Sequence, residues 1–161
     1  MRRLLLLPFA CLALAACGFQ LQGVNDLPPE LESVFLAVPD PNSDLAVQLR
    51  RSLAGAGVTL VQDAAAGTAT LRLTDERYGR RVKSVSAQNR PTEFEVFYEA
   101  EYLVEGPAGV LLPAQRVSRS RIFPYSERDI LGKQQEEQLL REALAREIAA
   151  LITRQLAGLG S

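Results

Sequence analysis

Glu93-Phe94-Glu95-Val96-Phe97-Tyr98-Glu99-Ala100-Glu101-Tyr102-Leu103-Val104-Glu105 repeats with a period of two. Phe94, Val96, Tyr98, Ala100, Tyr102 and Val104 occupy one parity, and Glu93, Glu95, Glu99, Glu101 and Glu105 the other. Successive side chains of a strand point to opposite faces, so one face of this strand meets a core and the other meets something polar. Downstream, Gly106-Pro107-Ala108-Gly109 turns the chain and Val110 to Phe123 runs back, carrying Arg116, Arg119 and Arg121. Arginines opposite glutamates across an antiparallel pair contribute ~0.2–1 kcal/mol per contact. The plain reading of such a face is a solvated ladder of ion pairs. The functional reading is a charged face inside the wet cavity of a partner.

Upstream, Ala87-Gln88-Asn89-Arg90-Pro91 is a turn. Before it, Ala69, Leu71 and Leu73 alternate with Thr70, Arg72 and Thr74, which predicts a further strand. Its pattern blurs at Tyr78 and Gly79, where a bulge is expected, and resumes weakly through Val82 and Val85. Ser33 to Val38 is a short β-rich run stopped by Pro39 and Pro41. Ser43 can cap a helix with Asp44 in its first turn and Leu45, Leu49 and Leu53 as its apolar stripe, ended by Gly55 and Gly57. Val58 to Val61 is a short strand or an extended link.

From Glu127 to Leu156 the period is helical: Leu140, Leu144, Ile148 and Leu151 form a stripe widened by Ala143 and Ile152, and Gly132 can divide off a short first turn. The stretch from Lys133 to Leu156 would be ~35 Å long, which matches strands of about ten to twelve residues at ~3.3 Å each. The expected fold is α+β, a two-layer sandwich with two helices on one face of a roughly four-stranded, mostly antiparallel sheet. The other sheet face stays open.

The chain begins with Arg2 and Arg3, an apolar run from Leu4 to Leu14, and then Leu14-Ala15-Ala16-Cys17. The run is about half the ~20 residues of a spanning helix, so it reads as an export signal. Leu-Ala-Ala-Cys is also the lipobox pattern, in which the cut falls before a cysteine that receives acyl chains. The expected division is a signal peptide over 1–16, an acylated tether over 17–32 and one domain over 33–161. Gly18 after the cysteine permits sorting to the outer membrane.

Removing residues 1–16 from 161 leaves 145, the size of one ordinary domain. At 47% hydrophobic and 23% charged residues, the composition is globular. The net charge of −1 becomes −3 without Arg2 and Arg3, which argues against a general nucleic-acid binder. Cys11 leaves with the signal and Cys17 is consumed by acylation, so no thiol remains for a disulfide or a metal. The chain has no histidine, which removes Ser-His and Cys-His nucleophilic machinery and histidine metal sites. Glu95 and Glu99 are the carboxylates a hydrolase could use. They lie ~7 Å apart along one strand, with nothing to separate their pKa values.

Several segments together resemble the LptE type of lipopolysaccharide-assembly lipoprotein. Gly18-Phe19-Gln20-Leu21-Gln22-Gly23 is similar to that family's Gly-aromatic-x-Leu-Arg-Gly opening, with Gln22 in place of Arg. Lys83-Ser84-Val85, then the turn and Glu93-Phe94, resembles its hairpin. Arg121 to Tyr125, followed by Ile130-Leu131-Gly132-Lys133 and Glu136-Glu137, resembles its passage from strand to helix. The resemblance implies an outer-membrane lipoprotein, lipid-anchored and facing the periplasm, that plugs and helps assemble an LptD-type β-barrel. It implies lipopolysaccharide binding, no catalysis, no metal and no cofactor. The family's basic contacts fall at Lys133 and at Ala87, where Arg90 is the nearest basic substitute. Arg80, Arg81 and Lys83 form a second basic cluster approaching the same turn. Their plain counterparts are a solvated helix residue and an edge strand defended against aggregation. A lipoprotein that binds lipid, or serves as an auxiliary subunit in phospholipid transport, is the alternative function and predicts an apolar groove.

Overall fold

The computed structural model describes residues 27–65, 67–124 and 130–160, with side chains of the last span from residue 135 onward. A 3-10 turn, Pro29–Leu31, leads into β1 (Ser33–Ala37), α1 (Asp44–Gly55) and β2 (Thr59–Val61). Three long strands follow: β3 (Ala69–Val85), β4 (Pro91–Gly106) and β5 (Gly109–Pro124). The chain ends in α2 (Ile130–Ala157) and a 3-10 turn, Gly158–Gly160. The sheet order is β2-β1-β3-β4-β5.

The sheet therefore has five strands, not four, and it is mixed: β1 runs parallel to both β2 and β3, whereas β3-β4-β5 is an antiparallel meander. The physical reason is α1. A helix between two strands carries the chain back to the starting edge, so β1-α1-β2 forms a parallel crossover and Thr59–Val61 becomes an edge strand.

Ser43 caps α1 by accepting a hydrogen bond from the Ala46 amide at 3.1 Å. Its hydroxyl donates to Glu76 Oε2 at 2.9 Å, which ties the cap to β3. Leu45, Leu49 and Leu53 are at most 1% exposed. In α2 the buried stripe is Leu144, Ile148, Ile152 and Leu156; Leu140 and Leu151 are only half-buried, and the helix is unbroken at Gly132. Residues 125–129, where the sequence predicts the helix to begin, lie outside the described residues. Thr153 donates its hydroxyl to the Ala149 carbonyl at 2.9 Å, so Ser52 is the donor in the 2.8 Å contact that joins α1 to α2. Arg141 pairs with Asp44 at 2.6 Å across the same interface.

Both helices lie against one sheet face, where Val96, Tyr98, Ala100, Tyr102 and Val104 of β4 share a single core with the two helical stripes. Among the described residues, no element covers the opposite face. The pairing of β3 with β4 is irregular at Thr74, between Leu73 and Asp75, and again between Val82 and Val85, but not at Tyr78 or Gly79. Tyr78 and Gly79 pair in register with Tyr98 and Phe97. Gly79 lies under the Phe97 ring: a Cβ there would come within 2.7 Å of it, so the ring would have to shift.

The long strands reach beyond expectation. At ~3.3 Å per residue, the 17 residues of β3 extend roughly 55 Å. One end of this sheet holds the Ser86–Arg90 turn. At the other, Pro28 packs within 3.4 Å of where a Cβ on Gly160 would stand.

Candidate functional site

The open face is organised around the carboxylates of β4. Register places Arg81 opposite Glu95, Arg77 opposite Glu99 and Arg116 opposite Glu101. Arg81 Nε donates to Glu95 Oε2 at 2.8 Å, Lys83 stands 3.7 Å from the same oxygen, and Ser120 donates to that carboxylate as well. The Arg81 guanidinium also lies over the Phe97 ring, 5.3 Å from its centroid. Glu95 is 7% exposed although it sits on the solvent side of the sheet, because neighbouring side chains cover it. Arg116 pairs with Glu101 at 3.0 Å, Arg72 with Glu105 at 3.1 Å, and Arg77 with Asp75 at 3.0 Å. Ser84 donates to Glu93.

The Arg81 hydrogen bond, then the one from Ser120, holds the Glu95 carboxyl at about 2, below its ordinary value of 4.5. A group with a depressed folded pKa supports the fold fully above its ordinary range, and that support is lost as pH falls toward 2. NMR titration should therefore find Glu95 ionised to about pH 2, and Arg81→Ala should raise its midpoint toward 4.5. An unchanged midpoint in the variant would contradict the assignment. Glu95 is thus shifted in the direction opposite to a general acid, which argues against the hydrolase reading. Among the described residues, no group of three His, Cys, Asp or Glu is placed to hold a metal ion.

Two of the three β5 arginines do not join this face. Arg119 and Arg121 lie opposite Tyr98 and Val96, on the helix side. Arg121 pairs with Glu147 of α2, and Arg119 donates to the Ser118 carbonyl at 2.8 Å. The missing cations come from β3, as Arg72, Arg77 and Arg81.

The basic cluster near the turn divides between the two faces. Arg80 faces the helices, donating to Glu137 at 2.8 Å and covering the Phe94 ring, whereas Arg81 and Lys83 face outward to Glu95. Tyr78 donates to the same Glu137 at 3.1 Å; burial, then the Glu137 charge, pushes its phenol up to about 12. Arg90 is exposed at the hairpin tip, with its amide directed to Ser86 Oγ and its carbonyl accepting from the Ser86 amide at 2.8 Å. Asn89 takes the left-handed conformation that closes this turn, at φ 58°. Lys133 is in the first turn of α2, one turn before Glu137; its side chain lies outside the described residues, as does Cys17. The fold thus brings the β3 cations, Arg90 and the start of α2 to one end of the sheet.

The family model for LptE, lipopolysaccharide-assembly, matches residues 31–156. An LPS-assembly lipoprotein LptE of Photorhabdus laumondii is 30% identical over 153 residues, covering 94% of this chain and 83% of its own. One of Yersinia pestis is 31% identical over 153 residues, covering 94% of this chain and 73% of its own. In fold, the chain is similar to the solution structure of a lipoprotein B from Nitrosomonas europaea, with a TM-score of 0.73, 24% identity and coverage of 88% and 91% of the two chains. The rare lipoprotein B of Shewanella oneidensis superposes with a TM-score of 0.70 at 24% identity, covering 78% of this chain and 94% of that one. With a family match running from the turn before β1 to the last turn of α2, the chain belongs to the LptE family of lipopolysaccharide-assembly proteins.

Proposed function

We propose that the chain is cut before Cys17 and anchored through acyl chains on Cys17 to the outer membrane, facing the periplasm. Residues 17–32 then tether a domain that plugs and helps assemble an LptD-type β-barrel and binds lipopolysaccharide during its transport to the outer leaflet. The observation that carries this reading is the uncovered sheet face. Its charges are already paired at 2.8–3.1 Å as Arg81–Glu95, Arg116–Glu101 and Arg72–Glu105. Such a surface stays wet and suits a hydrophilic lumen better than a lipid phase. Phospholipid carriage would need an apolar groove. The two clefts against Tyr78 are instead lined by charged groups such as Asp44, Glu76, Arg80 and Arg141, and the more apolar cleft beside Leu36, Val38 and Leu73 also takes in Arg50 and Arg72.

Detergent extraction of the full chain from cells should co-purify a large outer-membrane barrel; recovery as a lone lipoprotein, or with tightly bound phospholipid, would overturn the reading. For the ligand, Lys133 and Arg90 are the proposed contacts, with Arg80, Arg81 and Lys83 behind them. Charge-assisted bonds to a phosphate contribute about 1.5–3 kcal/mol. Lys133→Glu should therefore weaken lipopolysaccharide binding by roughly tenfold or more at low salt, with an unchanged circular dichroism spectrum. Unaltered affinity would remove Lys133 from the site.

A further inference from the structure

The first turns of α2 have little core to hold them. Among its described side chains none before Leu144 is fully buried, Leu139 is 66% exposed, and Leu140 is only half-buried. What fastens this part of the helix is polar. Glu137 accepts from Tyr78 at 3.1 Å through Oε1 and from Arg80 at 2.8 Å through Oε2, so both its oxygens are committed to β3. One turn on, Arg141 pairs with Asp44 of α1 at 2.6 Å and lies over the Tyr78 ring, 5.1 Å from its centroid. Tyr78 thus meets α2 with both its hydroxyl and its face. Its ring is backed in turn by the buried Tyr98 ring, 5.9 Å away.

The charges of this junction balance. The cleft it lines, about 680 Å³, sets Arg80 and Arg141 against Asp44 and Glu137, with Tyr78 and Gln138 neutral. Such a set has no surplus cation to offer a phosphate. What it does is fasten a helix to a sheet. The helix runs on one turn beyond Glu137 to Lys133, ~6 Å further along its axis. Residues four apart on a helix are neighbours, so a Glu137 released from β3 would be free to pair with Lys133 and neutralise it.

We propose that Glu137, gripped by Tyr78 and Arg80, is a positioning residue for lipopolysaccharide binding: it fixes the first turns of α2 against β3 and so sets where Lys133 meets a phosphate of the ligand. This rests on the lipopolysaccharide-binding reading and deepens it, since Arg80 then acts through Glu137 and not on the ligand itself.

The test is the affinity of the purified full chain for lipopolysaccharide at low salt, and the sign of the change is the readout. Glu137→Gln removes a negative charge near an anionic ligand, so charge alone would tighten binding. Loss of positioning weakens it instead, by about fivefold. Tyr78→Phe changes no charge and should weaken binding by about twofold to threefold. Lys133→Ala should cost less on the Glu137→Gln background than on the native one, because the two residues act as a unit. Glu147→Gln breaks the pair with Arg121 further along α2, beside the buried Ile148, and should leave affinity unchanged. Equal or tighter binding by Glu137→Gln, native affinity in Tyr78→Phe, a fully additive double variant, or an equal loss in Glu147→Gln overturns the inference and leaves lipopolysaccharide binding standing. If Glu137→Gln loses the native circular dichroism spectrum, Tyr78→Phe decides. Native affinity in Lys133→Ala overturns the inference together with Lys133 as a contact.

Discussion

Ile148→Ala is expected to destabilise the domain by about 2–5 kcal/mol. Ile148 is 0% exposed and belongs to the core built by Leu45, Leu49, Tyr98, Tyr102 and Leu144. Truncation removes methyl and methylene groups from water-free surroundings and leaves a void between a helix and a sheet. That void cannot close without moving one layer against the other. The layers are pinned by Arg141–Asp44 at 2.6 Å and Ser52–Thr153 at 2.8 Å, so collapse is opposed. Alanine's better helix propensity returns only a few tenths of a kcal/mol. Against a total of roughly 5–15 kcal/mol for an ordinary domain, this is a large fraction. The melting temperature should fall by roughly 4–20 °C. Urea denaturation should show a lower midpoint with an unchanged slope. Leu139→Ala, at a position 66% exposed on the same helix, should change stability by less than about 0.5 kcal/mol. Equal effects at the two sites would mean that α2 does not pack as described.

Cys17→Ala should abolish outer-membrane fractionation while leaving the domain folded. One acyl chain binds a membrane only marginally and two or more hold it stably, at ~0.8 kcal/mol per buried methylene. Removing the proposed attachment point should therefore change partitioning by many orders of magnitude. The core lies in residues from Leu31 onward, with Leu27 packed against it, so folding does not depend on the cysteine. Density-gradient separation of membranes checks the first half of the expectation, and the circular dichroism spectrum of the purified variant checks the second. A variant that still fractionates with the outer membrane would contradict the anchor.

Much of the fold was legible because local chemistry and burial agree. Ser43 caps, Leu45, Leu49 and Leu53 are buried, and the two parities of β4 separate into core and charge. Strand direction was not legible, because a short run such as Ser33–Val38 reads the same parallel or antiparallel. Its partner is fixed by the helix between β1 and β2. The bulge was misread because Gly79 resembles an irregularity, whereas it is an ordinary paired residue lying under Phe97. The β5 arginines held a signal that was overlooked. Arg116 differs in parity from Arg119 and Arg121, so all three could never face one side of a regular strand. Of the candidate contacts, Lys133 and Ala87 stand out only through resemblance to a family. Nothing in their own spacing separates them from other polar surface positions.

The extended sheet also works as a ruler. Its Pro28 end is where an acyl tether would join, and its Ser86–Arg90 end is roughly 55 Å away by strand rise. A bilayer with its headgroups is about 40–45 Å deep. A domain held in one leaflet by the first end and standing upright in a barrel would carry the second end to the level of the opposite leaflet, without any moving part.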